Sequence, residues 1–381
     1  MSELAVRRPQ ARYLIIKLAA LGDLFYALPA IRRIRHYDPS CRIEWLVTES
    51  LSEVLTLFPG IDQIHTVPGK DLNSPSRLTR LLAVLCARRK LAGRYDGIFL
   101  LHRHPLYNLL VFGKGPIFRL VRGPHAWAAK PPRALDRWPG WLLGGGKNVV
   151  VPPLSLHESR AIEKVIEAGF ADTRKAITRE GSRQRELPWS VELPTRSSGK
   201  KRRIAIHLGG GQNEKTEFQL KRWPRMGELV ARILRERTEN IILVGAEAER
   251  AEAEAVCASL RSFSMQERVE NKVGRTNLIE LIELLSSVDL VVGPDSGPLH
   301  IADQLGVNCL GIYGPTSRIS WGLLGANSRT IGRDVPCSPC YLDDGNFRPC
   351  PNDLICMKEL SLDEVMSAAQ AILELPCEKK R

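Results

Sequence analysis

The stretch DLVVGPDSGPLHIADQLGV, residues 289–307, decides how this chain is read. It opens as an apolar strand-like run, stops on the polar turn Pro294-Asp295-Ser296, and restarts at once as a helix. Asp or Ser caps a helix, Pro is tolerated in the first turn, and Gly lets a backbone or a ligand come close. A strand feeding straight into a helix also leaves unpaired N–H groups at the positive end of a helix dipole, outside the carboxyl end of the strand. That is where α/β proteins bind phosphates. Asp295, Ser296, Gly297, Pro298 and His300 are therefore expected either to seat a phosphate or to form a well-capped helix start and nothing more.

Outward from this junction, strand-like and helical patterns alternate through both halves, the signature of βαβ units and mostly parallel sheets. The first half places strands at 12–18, 42–47, 61–67 and 96–101, with helices near 23–37, 50–58 and 76–90. The polar, Pro-containing stretch 186–203 interrupts the alternation as a linker. Strands then follow at 203–208, 240–245 and 308–314, with helices near 223–237, 246–260, 276–287 and 361–374. At 381 residues the chain exceeds the roughly 250–300 at which single cores stop growing. The expectation is an α/β protein of two Rossmann-like domains, 1–195 and 203–360, facing across a cleft.

Composition narrows the classes. Hydrophobic residues make up 44% and charged residues 25%, ordinary globular values that argue against wholesale disorder or a fibrous architecture. No apolar run approaches the ~18 residues of a spanning helix, and the N-terminus lacks a signal-peptide core, so a cytoplasmic location is expected. The formal charge of +13 is concentrated: residues 97–147 hold eight Lys or Arg against the single acid Asp136, interleaved with Tyr107, Phe112, Phe118, Trp127, Trp138 and Trp141. Such a stretch suits a phosphorylated glycolipid, a membrane surface or a nucleic acid; the alternative is a solvated face with its aromatics in the core.

Two further segments carry candidate chemistry. At the end of the first strand, Ala19-Ala20-Leu21-Gly22-Asp23 is a small-residue turn, and Asp23 is either a helix cap or a carboxylate able to take a proton from an incoming hydroxyl. In residues 207–224, three glycines follow a strand and Lys221-Arg222 precede a helix start at Trp223-Pro224. Neither a Walker motif nor GxGxxG fits these glycines, which argues against a P-loop NTPase and a standard NAD enzyme. Lys221 is a loose surface lysine or a cation placed to meet a leaving phosphate. The nine cysteines include Cys337, Cys340, Cys350 and Cys356 within twenty residues, a structural zinc site or free thiols.

Together, IIKLAALGDLFYALPAIRRIR, IAIHLGGG with KRWP, LVVGPDSGPLHIADQLGVNCLGIYGPT and CSPCY with CPNDLICMKELSLDEV resemble, in order, glycosyltransferase family 9, the lipopolysaccharide heptosyltransferase family. The resemblance implies a GT-B fold with the donor in the second domain, the acceptor in the first, and a final helix, within 361–381, returning toward the first domain. It implies an inverting transfer of a sugar, typically heptose from ADP-heptose, onto a lipopolysaccharide core or related anionic glycolipid at the inner leaflet of the cytoplasmic membrane, with no nucleic-acid partner. By motif position Asp23 takes the role of general base and Lys221 that of donor-phosphate ligand. Asp295, Ser296, Gly297 and His300 form the diphosphate and sugar site, Glu247 meets the ribose, and Lys17 and Gly22 face the acceptor. No cofactor and no catalytic metal are implied, and no Asp-x-Asp motif occurs. The basic stretch 97–147 then faces lipid phosphates. Ala19-Ala20 departs from the Ser-Ser commonly found in this turn, which puts the usual acceptor in doubt. The competing readings are another GT-B nucleotide-sugar enzyme, such as an epimerase or a transferase for a different surface glycan, and a non-catalytic nucleotide-sugar-binding protein.

Overall fold

The structure, a computed structural model, describes residues 10–72, 74–102, 107–122, 146–151, 155–171, 201–210, 219–261, 265–341 and 348–375. The chain divides into two compact units, Met1–Ala19 with Tyr26–Ser190 and Ala20–Phe25 with Val191–Arg381. The linker expected at 186–203 and most of the aromatic and basic residues between 123 and 145 lie outside the described residues.

The first unit is built on β1 (Arg12–Ile16), β2 (Arg42–Thr48), β3 (Gln63–Val67), β4 (Gly97–Leu100), β5 (Ile117–Arg122) and β6 (Gly146–Val151). They form one parallel sheet in the order β3-β2-β1-β4-β5-β6. Strands covered on both faces are continuously apolar. Accordingly Leu14, Ile15 and Ile16 of β1 and Ile98, Phe99 and Leu100 of β4 are all buried. The connecting helices are α1 (Leu21–Ala27), whose first five residues group with the second unit, α2 (Pro29–Tyr37), α3 (Glu49–Leu55), α4 (Gly69–Leu72), α5 (Arg77–Lys90), α6 (Tyr107–Val111) and α7 (Glu158–Phe170). The single helix expected over 23–37 is two, because Pro29 has no N–H to continue the first and suits the first turn of the second.

Residues 100–200 carry little pattern in the sequence, yet they complete this sheet with β5, β6 and α7. The α7 helix buries Ala161, Ile162, Val165, Ile166 and Phe170, and the Phe170 ring stacks on Tyr37 at 4.5 Å. Part of the stretch expected to face lipid is therefore interior: Tyr107, Phe118 and Arg119 are buried, and Arg119 Nε donates to Asn108 Oδ1 at 2.8 Å.

The second unit repeats the plan with β7 (Arg203–His207), β8 (Asn240–Val244), β9 (Val269–Asn271), β10 (Leu290–Pro294), β11 (Cys309–Ile312) and β12 (Arg329–Ile331), all parallel in the order β12-β11-β10-β7-β8-β9. Its helices are α8 (Met226–Glu236), α9 (Arg250–Leu260), α10 (Leu278–Ser286), α11 (Gly297–Gln304), α12 (Arg318–Trp321), α13 (Ile355–Lys358) and α14 (Leu362–Leu373). The last helix packs into this unit's core. Val365, Met366, Ala369, Ile372 and Leu373 pack with Trp223, Leu229 and Ile312, so apolar burial fixes α14 here. In each sheet the winding reverses beside the first strand, between β1 and β4 and between β7 and β10. Ligands of doubly wound folds bind outside the carboxyl ends of the strands at such a switch point.

Candidate functional site

The opening junction sits at the switch point of the second unit. Strand β10 ends at Pro294, and α11 begins at Gly297 with Pro298 in its first turn. Ser296 occupies the cap position in extended conformation, but its side chain makes no capping hydrogen bond. Its Oγ is buried and has no hydrogen-bond partner among the described residues. A buried hydroxyl without a partner costs free energy unless something fills its place. The helix start is thus less well capped than its sequence suggests.

Asp295 is not a cap either; it is the hub of a buried ion cluster. Its Oδ2 accepts from Lys221 Nζ at 2.9 Å, its backbone carbonyl accepts from the same ammonium at 3.1 Å, and its Oδ1 lies 2.6 Å from His300 Nε2. Burial by itself would raise the Asp295 carboxyl pKa. The Lys221 charge and the His300 hydrogen bond outweigh it and hold the pKa well below the usual carboxylate range. Lys221 is accordingly not a loose surface lysine: it ends a 3-10 turn at Gln219–Lys221, and Asp295 fixes its ammonium at the carboxyl edge of the sheet. The ammonium also lies 5.5 Å from the centre of the Tyr341 ring, a cation–π distance.

The turn holding Asp23 groups with this same unit, and glycine is what admits it. A Cβ on Gly22 would stand 3.0 Å from His300 Cδ2, closer than nearly all real contacts. A Cβ on Gly297 would meet Leu21 at an ordinary 3.4 Å. Asp23 stands third in α1, inside the first turn instead of at the cap. In the first unit, Lys17 follows β1 and is buried, its Nζ 4.0 Å from Glu158 Oε1.

Glu247 lies past β8 with its carboxylate against Gly274, just past β9. Its side chain is 69% exposed and pairs with Arg250 at 2.5 Å. A second acid at the strand ends is Glu249, buried, accepting the Ala246 N–H at 2.5 Å and packed against Gly209 and Gly245. Burial raises its pKa. Beside it, at 4.0 Å, is His207 at the end of β7, whose imidazole burial and the Arg222 charge push down to about 4. His207 is therefore neutral at neutral pH, and its Nδ1 is buried without a partner among the described residues. Thr316, just past β11, likewise has a buried hydroxyl without such a partner. Sequence reasoning missed these three. The alternation of Glu with Ala in GAEAE carries no signal of which acid turns inward, whereas His207 at a strand's last position is a cue that was legible.

Among the described residues, no three His, Cys, Asp or Glu side chains are grouped to hold a metal ion. In the cysteine cluster, Cys350 Sγ accepts the Leu354 N–H at 3.1 Å and Cys337 Sγ accepts from Asn352 Nδ2 at 3.4 Å.

Two parallel sheets wound alike, the second carrying a helix start and a buried acid–lysine–histidine cluster at its switch point, are the plan of a GT-B fold. Residues 198–348 match the model of glycosyltransferase family 9 (heptosyltransferase). The chain is 22% identical over 385 residues to lipopolysaccharide heptosyltransferase 1 of Pseudomonas aeruginosa, covering 96% of this chain and 99% of that protein. It is 25% identical over 317 residues to the lipopolysaccharide core heptosyltransferase OpsX of Haemophilus influenzae, covering 78% of each. Among solved structures, the ADP-heptose lps heptosyltransferase II of E. coli superposes with a TM-score of 0.65 at 18% identity, over 95% of this chain and 98% of that one. The family match lies wholly within the second unit.

Proposed function

We propose that this glycosyltransferase moves a heptose from ADP-heptose onto a lipopolysaccharide core or a related anionic glycolipid, with inversion, at the cytoplasmic face of the inner membrane. The observation that carries this reading is the unpartnered Ser296 hydroxyl at the start of α11, beside the Asp295–Lys221–His300 cluster. A helix N-terminus with a buried donor and a fixed ammonium is complementary to a diphosphate. In the proposed reaction the Asp23 carboxylate takes the proton of an acceptor hydroxyl, and that oxygen bonds to the anomeric carbon. The bond from that carbon to the diphosphate breaks, and the ADP departs with the electron pair. The charge that develops is met by the α11 N–H groups and Lys221, with His300 and Gly297 shaping the sugar and phosphate site. Glu247, exposed at the strand ends, is the acid available to the nucleoside, with Glu249 buried beneath the turn, and Lys17 and Gly22 meet the acceptor. The relatives' names, which specify heptosyl transfer to lipopolysaccharide, support the substrates.

The test separates binding from chemistry. Asp23→Asn is expected to leave ADP affinity unchanged in calorimetry while turnover with ADP-heptose falls by ~10²–10⁴. Wild-type turnover in that variant returns Asp23 to a purely structural place in the first turn of α1.

A further inference from the structure

The α5 helix is inside out. Its sequence RLTRLLAVLCARRK buries the small residues Ala83, Val84 and Ala87 against the sheet, while Leu78, Leu82 and Leu85 are 66%, 52% and 42% exposed. Those leucines are spaced four and three residues apart and so form one stripe along the outer face. A helix shaped only by its own core would carry its leucines inward, because burying them yields far more than burying alanine. The stripe continues onto α6, where Tyr107, Leu110 and Val111 are buried but Leu109 and, just past the helix, Phe112 are 46% and 52% exposed. Arg88 joins the two elements, its Nη1 donating to the carbonyls of Leu109 at 3.1 Å and Leu110 at 3.0 Å, and Lys114 Nζ donates to the carbonyl of Leu91. Five of the seven large exposed hydrophobic side chains among the described residues fall on this one face, so it is a patch and not scatter.

The same helix has five basic residues, Arg77, Arg80, Arg88, Arg89 and Lys90, and no acid. Arg77, Arg89 and Lys90 are exposed. Leucines on one face with cations at both ends of the stripe are complementary to an anionic bilayer, whose headgroups attract the charges and whose interface accepts the apolar side chains. A second copy of the chain is a poorer occupant. A two-fold interface would set this arginine-rich helix against itself, on a chain of formal charge +13.

We propose that the outer face of α5 and α6 is a docking surface for an anionic lipid bilayer, with Leu78, Leu82, Leu85, Leu109 and Phe112 entering the interface and Arg77, Arg89 and Lys90 meeting lipid phosphates. The proposal deepens the membrane reading above and rests on it for its purpose. The helix lies on the membrane and does not span it, since no helix among the described residues is long and apolar enough to cross. Strand β4, which precedes α6 in the chain, ends on the same edge of the sheet as β1, where Lys17 follows.

The experiment is co-sedimentation of the full chain with vesicles of equal parts phosphatidylglycerol and phosphatidylcholine, and with phosphatidylcholine alone. The wild type is expected to bind the anionic vesicles, less at high salt, and to leave the neutral ones unbound. Leu82→Ser and Leu85→Ser are each expected to weaken binding about tenfold, and Arg89→Glu about fivefold or more. All three side chains are at the surface, so an unchanged melting temperature and unchanged ADP affinity accompany the loss. Wild-type binding that these variants do not alter overturns this face while leaving the membrane reading intact. No binding by the wild type overturns both. A dimer that Leu82→Ser dissociates, with vesicle binding unaffected, identifies the face as a self-interface and overturns the proposal.

Discussion

Each unit buries a carboxylate among basic partners, Glu44 in the first and Asp295 in the second, and the two clusters have different consequences. Glu44 lies in the amino-terminal half of β2 and has both oxygens satisfied. Arg12 donates to Oε1 through Nε at 3.1 Å and Nη2 at 2.7 Å, while His65 Nε2 at 2.8 Å and Tyr95 OH at 2.9 Å hold Oε2. Burial would raise its pKa, but the His65, Arg12 and Tyr95 hydrogen bonds bring it down to about 2. That is a clamp between strands. Asp295 is held as firmly, but it stands at the carboxyl edge of β10, next to a helix start and buried donors that lack partners. The difference lies in position: both Glu44 oxygens are bound within the sheet, whereas beside Asp295 a buried hydroxyl at a helix start has no partner among the described residues, which points to a ligand.

Mutation offers the most direct way to break this comparison. Glu44→Ala leaves Arg12 without its counter-charge and His65 and Tyr95 without their hydrogen-bond partner, and is expected to cost ~3–5 kcal/mol of stability, measured by urea unfolding, with ADP affinity of the folded protein unchanged. The same clamp sets a pH dependence. The folded pKa is below the 4.5 of an unperturbed glutamate, so the contribution of Glu44 is complete above pH 4.5 and is lost as pH falls from there toward about 2. Glu44→Gln removes that part of the titration. A loss of ADP binding in Glu44→Ala, at concentrations where it is folded, would erase the distinction between the two clusters.

The second cluster predicts the opposite pattern. Ser296→Ala removes a hydroxyl that bonds nothing among the described residues, so stability is expected to change little, while calorimetry shows ADP binding about tenfold weaker, the value of a hydrogen bond to a charged group. Equal ADP affinity in this variant would place the donor elsewhere. The smallest effect sharpens the assignment of the acid. Glu247→Ala removes an exposed pair with Arg250, worth ~0–1 kcal/mol of stability, and is expected to weaken ADP binding about threefold. Glu249→Gln, at the buried position, is expected to change stability more than ADP affinity. The reverse order moves the nucleotide acid to Glu249.

The sequence by itself determined the alternation of strands and helices, the doubling of one α/β plan, and the strand-to-helix junction at 294–297. Each of these is written within a few residues, in apolar periodicity and in turn chemistry. What it left open depends on partners far along the chain. Lys221 and Asp295 were each legible as candidates, but their pairing across 74 residues follows from the order of strands. The GAEAE segment offers two acids of equal appearance, and only the 3-10 turn at Glu247–Glu249 decides that the second points beneath the glycines. Arg119 has the composition of a surface residue and becomes interior because β5 is covered by neighbouring elements. The leucines of α5 read as core by type; Leu78, Leu82 and Leu85 are exposed because the helix turns Ala83, Val84 and Ala87 toward the core. Local pattern fixes which elements form, whereas packing between distant elements decides which side chains are satisfied, and so where the chemistry can be.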